Sequence, residues 1–358
     1  MTQAVMPQKQ SLLGASREDL AKILGPHIDA KFRIGQIYRA IHERGADDFS
    51  QITELSKPLR ERLDEHFTVH LPDVAKSHRS ADGTVKTLFR LDDGATIETV
   101  DIPDGDRRTL CVSSQAGCAL ACRFCVTGYW GGGRNLTAGE IVAQVLAARR
   151  QPSEAHGLNL VFMGMGEPLL NLEGVHDALQ ILMEQISWRR ITVSTAGVIP
   201  GLEAMAQWPK RPQLAISLHA ADDALRDEIM PINKRYPLDD LLGCLRRFPL
   251  APKQRITFEY ILIRDLNDSL TQADDLVRRL APLRAKVNLI PLNPDPVLGD
   301  DMQPSTPETV EAFKNRLRNR GLMATVRRPR GDDVSAACGQ LRAPHRDPRG
   351  FRGRRTTP

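Results

Sequence analysis

Between residues 11 and about 70 the apolar positions recur at helical spacing. Ser16-Arg17-Glu18-Asp19 reads as a capping box ahead of Leu20, Ile23 and Leu24. Phe32, Ile37, Tyr38 and Ile41 follow, with Gly45 as a stop, and Leu55, Leu59 and Leu63 mark a third helix. The period then changes to two. From about 73 to 105, Val85, Thr87, Phe89 and Leu91 alternate with Lys86, Leu88 and Arg90, and Asp93-Gly94 turns the chain into 95–100, so a β-hairpin is predicted. From 108 onward short apolar runs alternate with amphipathic stretches. Strands are predicted over 109–113, 158–164, 191–194, 213–219, 256–263 and 287–292, and helices over 138–148, 175–185, 238–248, 272–280 and 307–318. Repeated βα units imply a parallel sheet, open or closed into a barrel, with its chemistry at the C-terminal strand ends.

Composition adds two points. With 358 residues, 41% apolar and 26% charged, the chain has ample material for a core, and no run approaches the apolar length of a membrane span. The opening MTQAVMPQKQ carries no signal-type apolar stretch. The net charge of +5 is concentrated in residues 341–358, which hold six Arg and one Asp among Pro and Gly; this tail is expected to lack structure, and its arginines suit phosphate contacts or plain solvation equally. Four segments are expected: a helical accessory domain over 1–72, a hairpin linker over 73–106, a catalytic core over 107–340 and the basic tail over 341–358.

Three of the six cysteines, Cys118, Cys122 and Cys125, fall in one loop with spacing C-x3-C-x2-C. Three thiolates can hold three corners of a [4Fe–4S] cluster and leave one iron open. A structural zinc site usually closes with four ligands as two C-x2-C-like pairs, and no second pair is present, so the spacing favours the cluster. Six unevenly spaced cysteines in so long a chain do not read as a disulfide framework and suit the reducing cytoplasm. Polar motifs recur at the later strand ends: Gly164-Met165-Gly166-Glu167-Pro168, Ser194-Thr195-Ala196-Gly197, Ser217-Leu218-His219 and Asn293-Pro294. Each is weak by itself. On successive strand ends beside the cysteine loop, they describe a polar pocket.

The cysteine loop followed by a GEP-type turn resembles the radical S-adenosylmethionine (SAM) superfamily. Across the chain, CVSSQAGCALACRFC, RNLTAGEIV, FMGMGEPLLN, STAGVIPG, SLHAADDALRDEIMPIN, LIPLNP and SAACGQL resemble the RlmN family of RNA adenine methyltransferases, as far as about Leu341. The resemblance implies a partial (βα)6 radical-SAM barrel, with a small N-terminal helical domain and a linking hairpin. It implies that Cys118, Cys122 and Cys125 ligate one [4Fe–4S] cluster and that Gly166, Glu167, Ser194, Ser217, Leu218, His219 and Asn293 hold SAM. Phe124 matches the family's aromatic near the SAM adenine. Cys338 matches the cysteine that carries the methyl group, Cys111 its resolving partner and Glu98 the proton acceptor.

The implied chemistry suits these residue types. The adenine ring carbon between two nitrogens is electron-poor, so it does not attack a sulfonium, whereas a carbon radical adds to it. The resemblance implies that one SAM methylates the Cys338 thiolate and a second yields a 5′-deoxyadenosyl radical that takes hydrogen from that methyl group. The methylene radical adds to the base, Glu98 removes the ring proton, and Cys111 attacks the Cys338 sulfur to release product and leave a disulfide. The product expected is 2-methyladenosine in 23S ribosomal RNA and in transfer RNA. Implied partners are these RNAs and an electron-donating system such as flavodoxin, with no membrane and a monomeric enzyme.

Taken without the resemblance, Cys338 and Cys111 read as small buried apolar residues, and Glu98 reads as a solvent-facing strand residue. Cys244, in LLGCLRRF, and Trp188 and Trp208 read as packing. Tyr129, Trp130 and three glycines occupy a loop less aromatic and less glycine-rich in relatives of this type. Two other radical chemistries compete: a Cfr-like enzyme that methylates adenine C8, and an activase that makes a glycyl radical. The GEPLL and SLHAADD motifs look like RlmN rather than Cfr, and an activase leaves Cys111, Cys338 and the N-terminal helices without a role.

Overall fold

Ser16, in extended backbone, accepts the Asp19 amide at 3.1 Å and so starts α1 (Arg17–Leu24). The computed structural model describes residues 9–151 and 157–342. Two-residue strands β1 (Gln10–Ser11) and β2 (Phe67–Thr68) pair in parallel and close the N-terminal region, which also holds α2 (Phe32–Tyr38) and α3 (Lys57–His66). After α2 the chain widens into a π-helical turn, Arg39–Glu43, where the predicted helix was expected to run on unbroken. Leu20, Leu24, Ile37, Ile41, Leu59 and Leu63 are buried together, as the helical spacing requires.

This region is fastened to the rest of the chain. Gly14 lies so close to Gly139 that a Cβ there would meet the Gly139 nitrogen at 2.2 Å, and the Gln185 side chain donates to the His42 carbonyl at 2.7 Å. His42 is buried, with Nε2 accepting the Gly14 amide at 3.3 Å, and burial pushes its imidazole down to about 4. The unfolded chain therefore takes up a proton near pH 6.5 that the folded one refuses. Stability from this neutral imidazole is fully present above about pH 6.5 and is lost progressively towards pH 4, by a total of roughly 3 kcal/mol. Denaturant unfolding at neutral and at acid pH should show this slope, and His42→Asn should flatten it.

The remaining strands form one ten-stranded sheet in sequence order. β3 (Asp73–Arg79), β4 (Val85–Arg90) and β5 (Thr96–Asp104) are an antiparallel meander, and β5 pairs antiparallel with β6 (Arg107–Cys111). The Asp93-Gly94 turn is where the sequence places it, but β3 adds a strand to the expected hairpin and the meander continues the main sheet. From β6 the pairing is parallel through β7 (Gly157–Phe162), β8 (Ile191–Thr195), β9 (Gln213–Ser217), β10 (Ile256–Leu262), β11 (Ala285–Pro291) and β12 (Ala324–Val326). β3 and β12 are the two edges, so the parallel part is an open, partial barrel.

The intervening helices are α4 (Val126–Tyr129), α5 (Ala138–Arg149), α6 (Leu172–Leu182), α7 (Ile199–Ala206), α8 (Asp223–Ile229), α9 (Leu238–Arg247), α10 (Leu270–Leu280) and α11 (Pro307–Asn319). Thr137 and Glu140 form a reciprocal capping box on α5, and Ser269 and Gln272 form one on α10. α7 and α8 were not anticipated. Pro200 and Gly201 weaken the helical signal of the first, and the second is a seven-residue helix started by the Asp222 cap. No helix among the described residues is long and apolar enough to cross a membrane. The Arg-rich tail lies, from residue 343, outside the described residues.

Candidate active site

The C-terminal ends of β6 to β9 are stitched together by short polar contacts. Beyond β6, Ser113 Oγ donates to the Glu98 carbonyl at 2.7 Å and accepts the Met165 amide at 2.9 Å, while Gly164 donates to the Val112 carbonyl at 3.1 Å. Gly166 has φ 97°, and a Cβ there would sit 2.4 Å from the Gln115 Cβ, so the close approach of the two loops needs glycine. Gln115 Oε1 accepts the Glu167 amide at 2.8 Å. The Glu167 carboxylate in turn accepts from Leu169 at 3.0 Å and from Ala196 at 2.7 Å, tying the end of β7 to the end of β8.

His219 holds a left-handed backbone, φ 59°. The Asn267 side chain, donating to the His219 carbonyl at 2.8 Å, and the Ile261 amide, donating to Nδ1 at 2.9 Å, fix it there. Burial pushes the imidazole down to about 3, so the ring is neutral and Nε2 carries the hydrogen. Its edge meets the Phe124 ring, with centroids 4.6 Å apart. Behind these strand ends lies Arg226, fully buried, which sequence reading did not single out. Its guanidinium donates to the carbonyls of Ala196 (2.7 Å), Ser217 (3.1 Å) and Leu218 (3.0 Å) and to Asn233 Oδ1 (2.7 Å).

These residues surround one open cavity of about 160 Å³. Cys118, Cys122, Cys125 and Phe124 line one side, and Gly166, Glu167, Ser194, Ser217 and His219 the other. Cys338 reaches the same cavity from a segment about 200 residues further on. Leu218 is buried behind Ser217 and donates to the Glu259 carbonyl at 3.0 Å. Asn293 lines an adjoining cavity that shares Cys338 and Arg327, and its amide donates to the Cys338 carbonyl at 3.0 Å.

The cysteine loop suits a soft metal centre. Burial pushes the Cys118 thiol up to about 12, and it raises Cys122 and Cys125 as well, with their mutual negative charge opposing ionisation further at Cys118 and Cys122. A bound cationic centre reverses that balance, because coordination deprotonates a thiol outright. Glu167, the neighbouring carboxylate, has both oxygens engaged by amides, so sulfur is the donor that remains, as iron–sulfur ligation requires. The loop after Cys125 packs inward: Tyr129 and Trp130 lie against Val126, Ile261, Ile263, Leu292 and Leu298, and Tyr129 donates to the Arg123 carbonyl at 3.0 Å.

The Cys338 segment is latched to that loop through its backbone. Gly339 accepts the Val126 amide at 2.7 Å, Leu341 accepts the Thr127 hydroxyl at 2.8 Å, and Gln340 donates to the Pro294 carbonyl at 3.0 Å. Cys111 lies at the end of β6, buried, and does not line the cavity of Cys118, Cys122 and Cys125. Burial first, and then the charge of Cys338, push its thiol up to about 12. All six cysteines are free, and Cys244 is buried on α9 with its apolar neighbours, as its pattern suggests. Arg327, also not anticipated, follows β12 and lines both cavities; Cys338 foremost, then Glu259 and Cys111, favour its charged form.

Glu98 faces elsewhere. It lines a third cavity, of about 290 Å³, together with Lys76, His78, Lys86, Ser335 and Arg342. Register pairs Val100 with both Lys86 and Cys111, so Lys86, Glu98 and Cys111 share one face of the sheet. Burial raises the Glu98 carboxyl against the opposing pull of Lys86.

Comparison with known proteins agrees with this architecture. Residues 112–277 match the Radical SAM superfamily, and residues 10–69 match the ribosomal RNA large subunit methyltransferase N-terminal domain. The dual-specificity RNA methyltransferase RlmN of Marinobacter nauticus is 45% identical over 345 residues, covering 93% of each chain. That of Zymomonas mobilis is 47% identical over 350 residues, covering 93% of this chain and 89% of the relative. A solved radical SAM methyltransferase from Sphaerobacter thermophilus superposes with a TM-score of 0.87 at 42% identity, covering 93% of this chain and 99% of that one.

Proposed function

Because the chain belongs to the RlmN family of radical SAM RNA methyltransferases, we propose that it makes 2-methyladenosine in 23S ribosomal RNA and in transfer RNA, with Cys338 as the methyl carrier. The observation that carries this reading is the arrival of Cys338 in the cavity lined by Cys118, Cys122 and Cys125. These three hold a [4Fe–4S] cluster, and Gly166, Glu167, Ser194, Ser217, Leu218, His219 and Asn293 form the SAM site. When bound, cluster and SAM supply an electrophilic methyl group in one half-reaction and a hydrogen-abstracting radical in the other.

The chain's own residues do the rest. Cys338 takes the methyl group as a thiolate, in the cavity that Arg327 also lines. Glu98 receives the ring proton after the base is joined to the carrier, and the unpaired electron of that adduct passes to a one-electron acceptor. Cys111 attacks the Cys338 sulfur, the carbon leaves with its bonding pair and a proton, and the two thiols end as a disulfide. Reducing that disulfide each turnover suits the cytoplasm, and a flavodoxin-type donor suits the electron demand. The N-terminal helices over 10–69 serve as an RNA-binding accessory domain to a monomeric enzyme.

The test is an anaerobic reaction of the iron-loaded enzyme with SAM, a reductant and each RNA, followed by nucleoside mass spectrometry. 2-Methyladenosine is the expected product. 8-Methyladenosine would move the chain to the Cfr-like activity, and an unmodified adenosine profile would overturn the reading.

A further inference from the structure

Lys86 sits on β4 at a position where strand alternation directs a lysine outward, yet it is buried. Its Nζ is 3.2 Å from Glu98 Oε1 and donates to the Ser335 carbonyl at 3.0 Å. The other Glu98 oxygen accepts the Arg342 amide at 2.7 Å. The segment that carries Cys338 is thus fastened at its start to the lysine and at its end to the carboxylate. A buried ion pair is costly unless well partnered, and here both partners touch the same short segment.

We propose that Lys86 is a positioning residue for removal of the ring proton: it holds Glu98 and the Cys338-bearing segment as one unit, so that the base and the carrier stay in register. This rests on the reading of Glu98 as proton acceptor. In that step the C–H bond of the substituted ring carbon breaks, an O–H bond forms at a Glu98 oxygen, the C–H electron pair stays in the ring, and the unpaired electron of the radical adduct passes to a one-electron acceptor of the iron–sulfur class. Oε1 is committed to Lys86. Oε2 accepts the Arg342 amide and keeps a second acceptor site, so Oε2 is the oxygen that takes the proton. Lys76 and His78 from β3 and Arg342 from the C-terminal segment also face this cavity, but Lys86 is the cation in contact with the carboxylate. Without it, the buried Glu98 favours its protonated form, which accepts no further proton.

The test compares iron-loaded wild type with Lys86→Met, Lys86→Arg and Glu98→Gln. Decay of the covalent protein–RNA adduct is followed across the neutral pH range, and Cys338 S-methylation is measured in the same samples as a check on folding and on the first half-reaction. Lys86→Met should retain S-methylation, slow adduct decay roughly tenfold or more and move its acid limb to higher pH. Lys86→Arg should recover most of the rate. Amide deuterium exchange over 335–342, read without RNA, should accelerate in Lys86→Met. If Lys86→Met does not fold, Lys86→Gln, neutral but still a donor, should show the same upward shift of the limb. Wild-type decay and an unchanged profile in the neutral variants, with Glu98→Gln stalled, overturn the role of Lys86 and leave the base assignment standing. Wild-type decay in Glu98→Gln removes the base assignment and this proposal with it.

Discussion

Cys338→Ala enzyme, fully loaded with iron and SAM, is expected to form neither methylated adenosine nor any protein–RNA adduct. The loss should be about a thousandfold or more, the scale of removing a covalent nucleophile, because no other thiol in the cavity is free to take its place. Cys118, Cys122 and Cys125 share the cavity but are assigned to the cluster, and Cys111 lies outside it. Reductive SAM cleavage should persist in this variant, since the strand-end motifs proposed to hold SAM are untouched. Nucleoside and intact-protein mass spectrometry distinguish the two outcomes. Methylated RNA from Cys338→Ala would remove the carrier assignment.

Cys111→Ala should fail later and more visibly. Carrier methylation and attachment to the base proceed, but no thiol remains to attack the Cys338 sulfur, so a covalent protein–RNA adduct accumulates to near stoichiometry. A denaturing gel and intact mass reveal it. The wild-type adduct should resolve with a pH dependence of known sign. Burial is the main reason that the Cys111 thiol lies up at about 12, and that cause remains when Cys338 is alkylated and loses its charge. The attacking thiolate is then a small fraction at neutral pH, so resolution should quicken roughly tenfold for each unit of pH up to the alkaline range. A flat profile would assign the slow step to something other than Cys111 ionisation.

Much of the site was legible because its parts are local in sequence. The C-x3-C-x2-C spacing, the glycines before Glu167 and the polar ends of successive strands declare themselves within a few residues, and βα alternation places them on one rim. Other parts depend on distant chain. Lys86 reads as an outward strand residue because the segment that covers it comes about 250 residues later. Arg226 carries no local signal at all, since its role is to collect carbonyls from several strand ends. That Glu98 faces a different cavity from the cluster cysteines follows from β5 register and from the path of the Cys338 segment, neither of which periodicity reveals.

The latch between the Cys338 segment and the loop after Cys125 also sets the path of the chain up to Arg342. Leu341 accepts the Thr127 hydroxyl and the Arg342 amide donates to Glu98, so one short segment touches both the cysteine loop and that carboxylate. Arg342 therefore gives the carboxylate proposed as the base one of its two partners, and a chain cut after Leu341 loses that hydrogen bond.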